Sequence, residues 1–157
     1  MPNQDESVQI SITQMKEPFV LGTEEMHLKC CTVLIVDDSE DDRFTYQRFL
    51  AQADMGKYVI LESDCGETGL ALCQEQRPDV ILLDYLLPDC DGLEFVQTLQ
   101  EKLPSLPPII MLTGQGNEQV AVEAMKMGVK DYLVKRSLTP EQMAQAIQRV
   151  LADQALR

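Results

Sequence analysis

The chain has 157 residues, 45% of them hydrophobic, which suits one packed domain with a modest excess. Its net charge of −13, from 26 acidic and 13 basic residues, argues against direct nucleic-acid binding, because neutralising phosphates takes Lys and Arg. No apolar run approaches the roughly 18 residues of a membrane span, no secretory signal is evident, and five cysteines without a CxxC pair suit neither a zinc nor a disulfide framework, so a cytoplasmic, reducing location without membrane insertion is expected.

Residues 1–30 show no sustained period and are interrupted by Pro2 and Pro18. They read as an N-terminal leader or linker that packs little, with the lone His27 as a bystander. Residues 31–157 read as one domain. Strand "TVLIVD" (Thr32–Asp37) leads into "SEDDRFTYQRFLAQAD", where Ser39 is the N-cap candidate and acidic residues fill the first turn. Tyr46, Phe49, Leu50 and Ala53 recur there at helical spacing. Strand "YVILES" and helix "CGETGLALCQEQ" follow, then strand "DVILLD" (Asp79–Asp84) and helix "DGLEFVQTLQEKL", with Phe95, Val96, Leu99 and Leu103 on one face. Strand "PPIIMLT" (Pro107–Thr113) precedes helix "NEQVAVEAMKMG", which Gly128 closes, and "DYLVK" (Asp131–Lys135) is the fifth strand. The last helix, "TPEQMAQAIQRVLADQAL", opens with a capping box from Thr139 to Gln142 and Pro140 at its first position; Met143, Ile147, Val150 and Leu151 form its apolar face.

Strands apolar on both faces, each followed by an amphipathic helix, predict an α/β fold: a doubly wound, flavodoxin-like (βα)5 parallel sheet with helices on both faces. Such sheets bind ligands at the carboxyl ends of their strands, near the reversal in strand order. Those ends carry Asp37 and Asp38 on strand 1, Asp84 on strand 3, Thr113 on strand 4 and Lys135 on strand 5, while strand 2 ends in Glu62-Ser63-Asp64, farther from the reversal. Three carboxylates at one edge repel unless a cation offsets them, and a few hard oxygen ligands completed by water suit Mg²⁺ or Mn²⁺. Lys135 adds a positive charge and Thr113 a hydroxyl donor. That set matches phosphoryl transfer to an aspartate, a carboxylate known to act as a nucleophile. Singly, each residue has a blander reading as a helix start, a strand end or a solvated lysine. Together, in order, at one edge, they point to chemistry.

The segments "VLIVDDSEDD", "DVILLDYLLPDCDG", "IIMLTGQG" and "DYLVK" resemble the receiver domains of bacterial two-component response regulators, over about residues 31–155. The resemblance implies that Asp84 is the phosphoacceptor, served by the phosphohistidine of a sensor histidine kinase, by a phosphotransfer protein or by a small phosphodonor. It implies that Asp38 and Asp84 bind Mg²⁺ directly, that Asp37 holds it largely through water, and that the backbone carbonyl of Leu86 adds a ligand. Thr113 and Lys135 would contact the phosphoryl group, and Pro88 and Gly92 shape the turn after the acceptor. Tyr132, three residues before Lys135, takes the place of the switch aromatic: Thr113 moves toward the phosphoryl group, the ring turns into the vacated space, and the surface of helix 4, strand 5 and helix 5 changes for a protein effector. Met125 and Met127 fit either a docking face near that surface or the core. Beyond catalysing its own phosphorylation and dephosphorylation, no enzyme activity is expected.

Three departures from the family pattern stand out. Arg136 follows the lysine where many members carry Pro, often with a cis bond, so the Lys135 loop is expected to differ. Leu86 is apolar where polar residues often modulate dephosphorylation; it is expected to hinder an attacking water and lengthen the life of the phosphorylated form, with Gln115 as the residue able to orient one. No output domain is expected after helix 5. Two other readings compete. A haloacid-dehalogenase-type phosphatase wants an aspartate at the position of Leu86 and fits poorly. A receiver fold acting as a phosphorylation-independent docking module is the stronger alternative, against which the intact acidic pair, Thr113 and Lys135 argue. A histidine kinase is set aside, since His27 lies in no helical dimerisation pattern and no nucleotide-binding glycine motif is present.

Overall fold

The computed structural model describes residues 30–53 and 57–155, so the expectations for His27 and the leader up to residue 29 lie outside the described residues. Strands and helices alternate throughout: β1 (Cys31–Val36), α1 (Glu40–Ala53), β2 (Tyr58–Ser63), α2 (Gly66–Gln76), β3 (Val80–Asp84), α3 (Gly92–Lys102), β4 (Ile109–Thr113), α4 (Glu118–Lys126), β5 (Asp131–Val134) and α5 (Pro140–Ala155). A 3₁₀ turn, Lys135–Ser137, joins β5 to α5. The five strands form one parallel sheet in the order β2-β1-β3-β4-β5, the doubly wound arrangement expected. The chain leaves β1 for β2 on one side and returns to β3 on the other, so the strand order reverses between β1 and β3.

Several element ends differ from the sequence reading. β1 stops at Val36, although the Asp37 N–H still donates to Ser63 O at 3.0 Å. β4 starts at Ile109 rather than Pro107, because proline brings no N–H to a sheet. β5 ends at Val134, and Lys135 already belongs to the 3₁₀ turn. α4 is shorter than expected, with Met127 as its C-cap and Gly128 at φ 104 completing the exit.

Strand pleating divides the core in two. Val33 and Ile35 of β1, Val80 and Leu82 of β3, and Ile110 and Leu112 of β4 pack against Tyr46 and Leu50 of α1 and Met143, Ile147 and Val150 of α5. Their neighbours Leu34, Val36, Ile81, Leu83, Ile109 and Met111 point the other way, onto Cys73, Phe95, Val96, Leu99 and Ala124 of α2, α3 and α4. β3 and β4 are buried at every position, whereas the sheet edges β2 and β5 are half-exposed. Each fully buried Leu, Ile, Val or Phe contributes about 1.5–3 kcal/mol, enough to hold acidic side chains at the strand ends against their repulsion.

Helix starts are set by side chains. The Thr139–Gln142 capping box forms as expected: Gln142 N–H donates to Thr139 Oγ1 at 3.1 Å, and Thr139 N–H to Gln142 Oε1 at 3.0 Å. Ser39 Oγ accepts from Asp42 N–H at 3.1 Å. Asp91 and Glu94 form a second capping box at α3. For α2 the cap comes from elsewhere in the chain. Its first amides, Gly66 and Glu67, donate to Asp89 Oδ1 and Oδ2 at 2.7 and 2.9 Å, and Asp89 lies in the turn after β3.

Candidate functional site

The alternation that builds the core also aims the site. Asp37 continues the side-chain parity of Val33 and Ile35, Asp84 that of Val80 and Leu82, and Lys135 that of Leu133, so all three face the α1–α5 side. Asp37 is 1% exposed and Asp84 6%, which makes their negative charges expensive unless paired. Lys135 supplies the pairing. Its Nζ lies 2.9 Å from Asp37 Oδ2, 3.2 Å from Asp84 Oδ1 and 2.8 Å from Asp42 Oδ2.

Asp37, Asp38 and Asp84 each present a carboxylate oxygen within 4.8 Å of the others, and Asp38 is the exposed member of the trio. Oxygens around an octahedral Mg²⁺ at about 2.1 Å sit roughly 3 to 4.2 Å apart, so the trio fits such an ion with little adjustment. The donor set is all hard oxygen, as that chemistry requires.

Electrostatics follow from burial. Asp84 has its pKa raised from 3.8 to about 6, first by burial and then by the neighbouring charge of Asp37, with the Lys135 ammonium and the Leu86 amide pulling the other way. Burial alone would lower the Lys135 pKa, but its hydrogen bond to Asp42 and the charges around it outweigh that, and the ammonium is held well above its ordinary value. Beneath this cluster Tyr46, 3% exposed, donates its hydroxyl to Asp37 Oδ2 at 3.4 Å. Burial raises the Tyr46 pKa well above its ordinary value, so this phenol stays a donor. Asp37 is held further by Ser39 N–H, which donates to its Oδ1 at 2.9 Å. Arg43 spans from the Asp37 carbonyl (2.8 Å) to Glu62 (2.8 Å), which ties the end of strand 2 to the pocket's outer wall rather than its centre.

Thr113 and Tyr132 sit on the opposite face of the sheet. Thr113 pairs in register with Val134, and Tyr132 is two residues back along β5 with the same parity. The Thr113 hydroxyl donates to Gln115 O at 3.1 Å, and the Tyr132 hydroxyl accepts from Asn117 N–H at 3.3 Å. Both residues of the expected switch therefore hold the β4–α4 loop, residues 114–117. Gln115 is exposed there. Leu86 is 67% exposed beside Asp84. Met125 is 47% exposed on α4, whereas Met127 packs against the core, so the core reading holds for Met127 alone. Arg136 is exposed in a 3₁₀ turn, Lys135–Ser137, which Leu138 N–H closes by donating to Lys135 O at 3.2 Å.

The sequence reading missed Asp42 and Tyr46. The signal was present: they stand four and eight residues after Asp38, one helical turn apart on α1, so both return toward the strand ends. Asp42 was masked by its place three residues after Ser39, where an acidic side chain ordinarily serves the helix start.

A parallel sheet with an acidic trio and a lysine at its switch point defines the class of response-regulator receiver folds. The comparisons agree. The family model described as "Response regulator receiver domain" matches residues 33–148, and the chain belongs to that family. It is 32% identical over 121 residues to the phosphate regulon transcriptional regulatory protein PhoB of Pseudomonas aeruginosa, a match covering 76% of this chain and 51% of PhoB. It is 33% identical over 103 residues to the chemotaxis protein CheY of Listeria monocytogenes, covering 66% of this chain and 84% of that one. The chain thus spans about half the length of curated relatives such as PhoB. Among solved structures, Vibrio cholerae CheY4 is 31% identical with a TM-score of 0.69, covering 78% of this chain and 100% of that chain. Among the described residues, no helix is long and apolar enough to cross a membrane.

Proposed function

We propose that this protein is a phosphorylation-dependent signalling module whose Asp84 carboxylate takes a phosphoryl group from a histidine kinase, a phosphotransfer protein or a small phosphodonor. The observation that carries the reading is the Lys135 ammonium, bridging Asp84 and Asp37 at 3.2 and 2.9 Å beside Asp38. In the transfer an Asp84 oxygen attacks phosphorus; the new O–P bond forms as the bond to imidazole nitrogen or acetate oxygen breaks, and the leaving group keeps the electron pair. Lys135 and Thr113 then meet the phosphoryl oxygens. Asp38, Asp84, Asp37 through water and the Leu86 carbonyl would hold Mg²⁺ or Mn²⁺, whose charge offsets those oxygens. No external substrate is turned over beyond the phosphodonor.

Two hydrogen bonds already described support a switch. When the Thr113 hydroxyl leaves Gln115 O for a phosphoryl oxygen, the loop it held is released, and Tyr132, bonded to the same loop at Asn117, moves with it. The α4–β5–α5 surface, with Met125 exposed, changes for a protein effector in the cytoplasm. The experiment is incubation with acetyl phosphate and Mg²⁺, read by intact mass. One phosphoryl group is expected on the wild-type chain, and none on Asp84→Asn or after chelation of the cation. An unlabelled wild type, or a labelled Asp84→Asn, refutes the reading.

A further inference from the structure

We propose that Asp42 is a brake on phosphorylation, a positioning residue that holds the Lys135 ammonium away from the incoming phosphoryl group. The inference deepens the function proposed above and rests on Asp84 being the acceptor. An ammonium has three N–H donors; Lys135 donates to Asp42 at 2.8 Å and to Asp37 at 2.9 Å, and its Nζ forms an ion pair with Asp84 at 3.2 Å. A phosphoryl group must therefore draw on an ammonium whose two hydrogen bonds already go to Asp42 and Asp37.

The three contacts are not equivalent. The Asp84 contact is the longest and passes naturally to a phosphoryl oxygen carried by the same side chain. Asp37 belongs to the trio that fits a cation, so its charge has a second partner. Asp42 lies outside that trio, and among the described residues Lys135 is its one salt-bridge partner. Its contact is also the shortest of the three. A phosphoryl group of about two negative charges therefore competes with Asp42 for the same ammonium.

Local structure explains why Asp42 is free to do this. At the third position of α1 a carboxylate commonly turns back to the amide of the N-cap residue. Here the Ser39 amide is already taken by Asp37 Oδ1 at 2.9 Å, while the Ser39 hydroxyl caps Asp42 N–H. The Asp42 side chain is thus released from helix capping and points to Lys135. Because it is 38% exposed, its hold on the lysine is moderated by solvent, and a modest rate effect follows rather than an all-or-none block.

The test compares wild type, Asp42→Asn, Asp42→Gln, Asp42→Glu and Asp84→Asn. Acetyl phosphate labelling is followed in time by intact mass, Mg²⁺ affinity by titration calorimetry, and acylation of Lys135 in the metal-free protein by peptide mass. Both neutral variants should label about fivefold faster, and their Lys135 should acylate faster without any cation present. Asp42→Glu, which keeps the charge, should return most of the slow rate, as a merely structural role would not require. Urea melts check that each variant is folded. Labelling that is unchanged or slower in both folded neutral variants, with wild type labelled at Asp84, overturns the brake alone. A wild type that takes no phosphoryl group overturns the acceptor assignment and the brake with it.

Discussion

The loops on either side of the pocket are built to different standards. The β3–α3 loop, residues 85–91, is braced from within and from outside. Leu87 N–H donates to Cys90 O, Gly92 N–H to Tyr85 O at 2.6 Å, Asp91 caps α3, and Asp89 is locked onto two amides of α2. The β4–α4 loop, residues 114–117, is exposed at every residue, and its ties to the sheet are the hydroxyls of Thr113 and Tyr132. Under the proposed function, a phosphoryl group on Asp84 would meet one wall that stays and one that gives. Segments with exposed, sparse hydrogen bonds open at the lowest cost, and the hydroxyls of the two residues proposed as the switch hold such a segment.

This contrast is open to direct attack. The largest effect is expected on the braced side, at Asp84. Its folded-state pKa of about 6 against an ordinary 3.8 means that the folded chain holds the proton more tightly. That stabilisation is complete below pH 3.8 and is lost as pH rises through 6. Asp84→Asn should accordingly stabilise the cation-free protein at pH 7.5 by roughly 3 kcal/mol and at pH 4 by little, measured by urea unfolding. Next comes Gly92→Ala. A Cβ there meets Met111 Cε at 2.9 Å and the Tyr85 Cα at 3.2 Å, so a loss of about 2 kcal/mol is expected in thermal melts.

Asp89→Ala uncaps α2 and should cost about 1 kcal/mol at neutral pH. The amides of Gly66 and Glu67 lower the Asp89 pKa, so this contribution is present above its ordinary 3.8 and fades as pH falls further. Leu86→Asn, on the same wall, should speed hydrolysis of the phosphorylated chain several-fold, followed by loss of the added mass; an unchanged rate would show that Leu86 does not shield the acyl phosphate. Smallest is Gly114→Ala on the yielding wall, where a Cβ meets nothing within 4 Å. It should change the unfolding free energy by no more than about 0.5 kcal/mol, and a loss comparable to that of Gly92→Ala would erase the contrast between the loops.

Most of the scaffold was legible because its signals are local. Apolar runs such as Ile81–Leu83 and Ile109–Leu112 mark buried strands, and the Thr139–Gln142 pair marks a helix start without knowledge of any partner. Strand-end chemistry was legible because parallel sheets put every carboxyl end at one edge, which gathers Asp37, Asp38, Asp84 and Lys135. What escaped depends on contacts across long sequence separations or on competition between acceptors. Asp89 reaches residues 22 and 23 positions away, and no local pattern announces it. Asp42 is turned toward Lys135, 93 residues away, because Asp37 has already claimed the Ser39 amide. Strand limits were overrun by one residue at Asp37 and Lys135, the charged residues that follow the last apolar strand positions, Val36 and Val134.

The pleat that sorts these side chains carries a consequence for anyone handling the protein. With a repeat of two, sliding β5 by one step past β4 would send the lysine to the wrong side and the tyrosine with it. Under the proposed function, uptake of phosphate would thus double as a stringent certificate of correct strand alignment, and a preparation that labels to completion would have been proofread molecule by molecule.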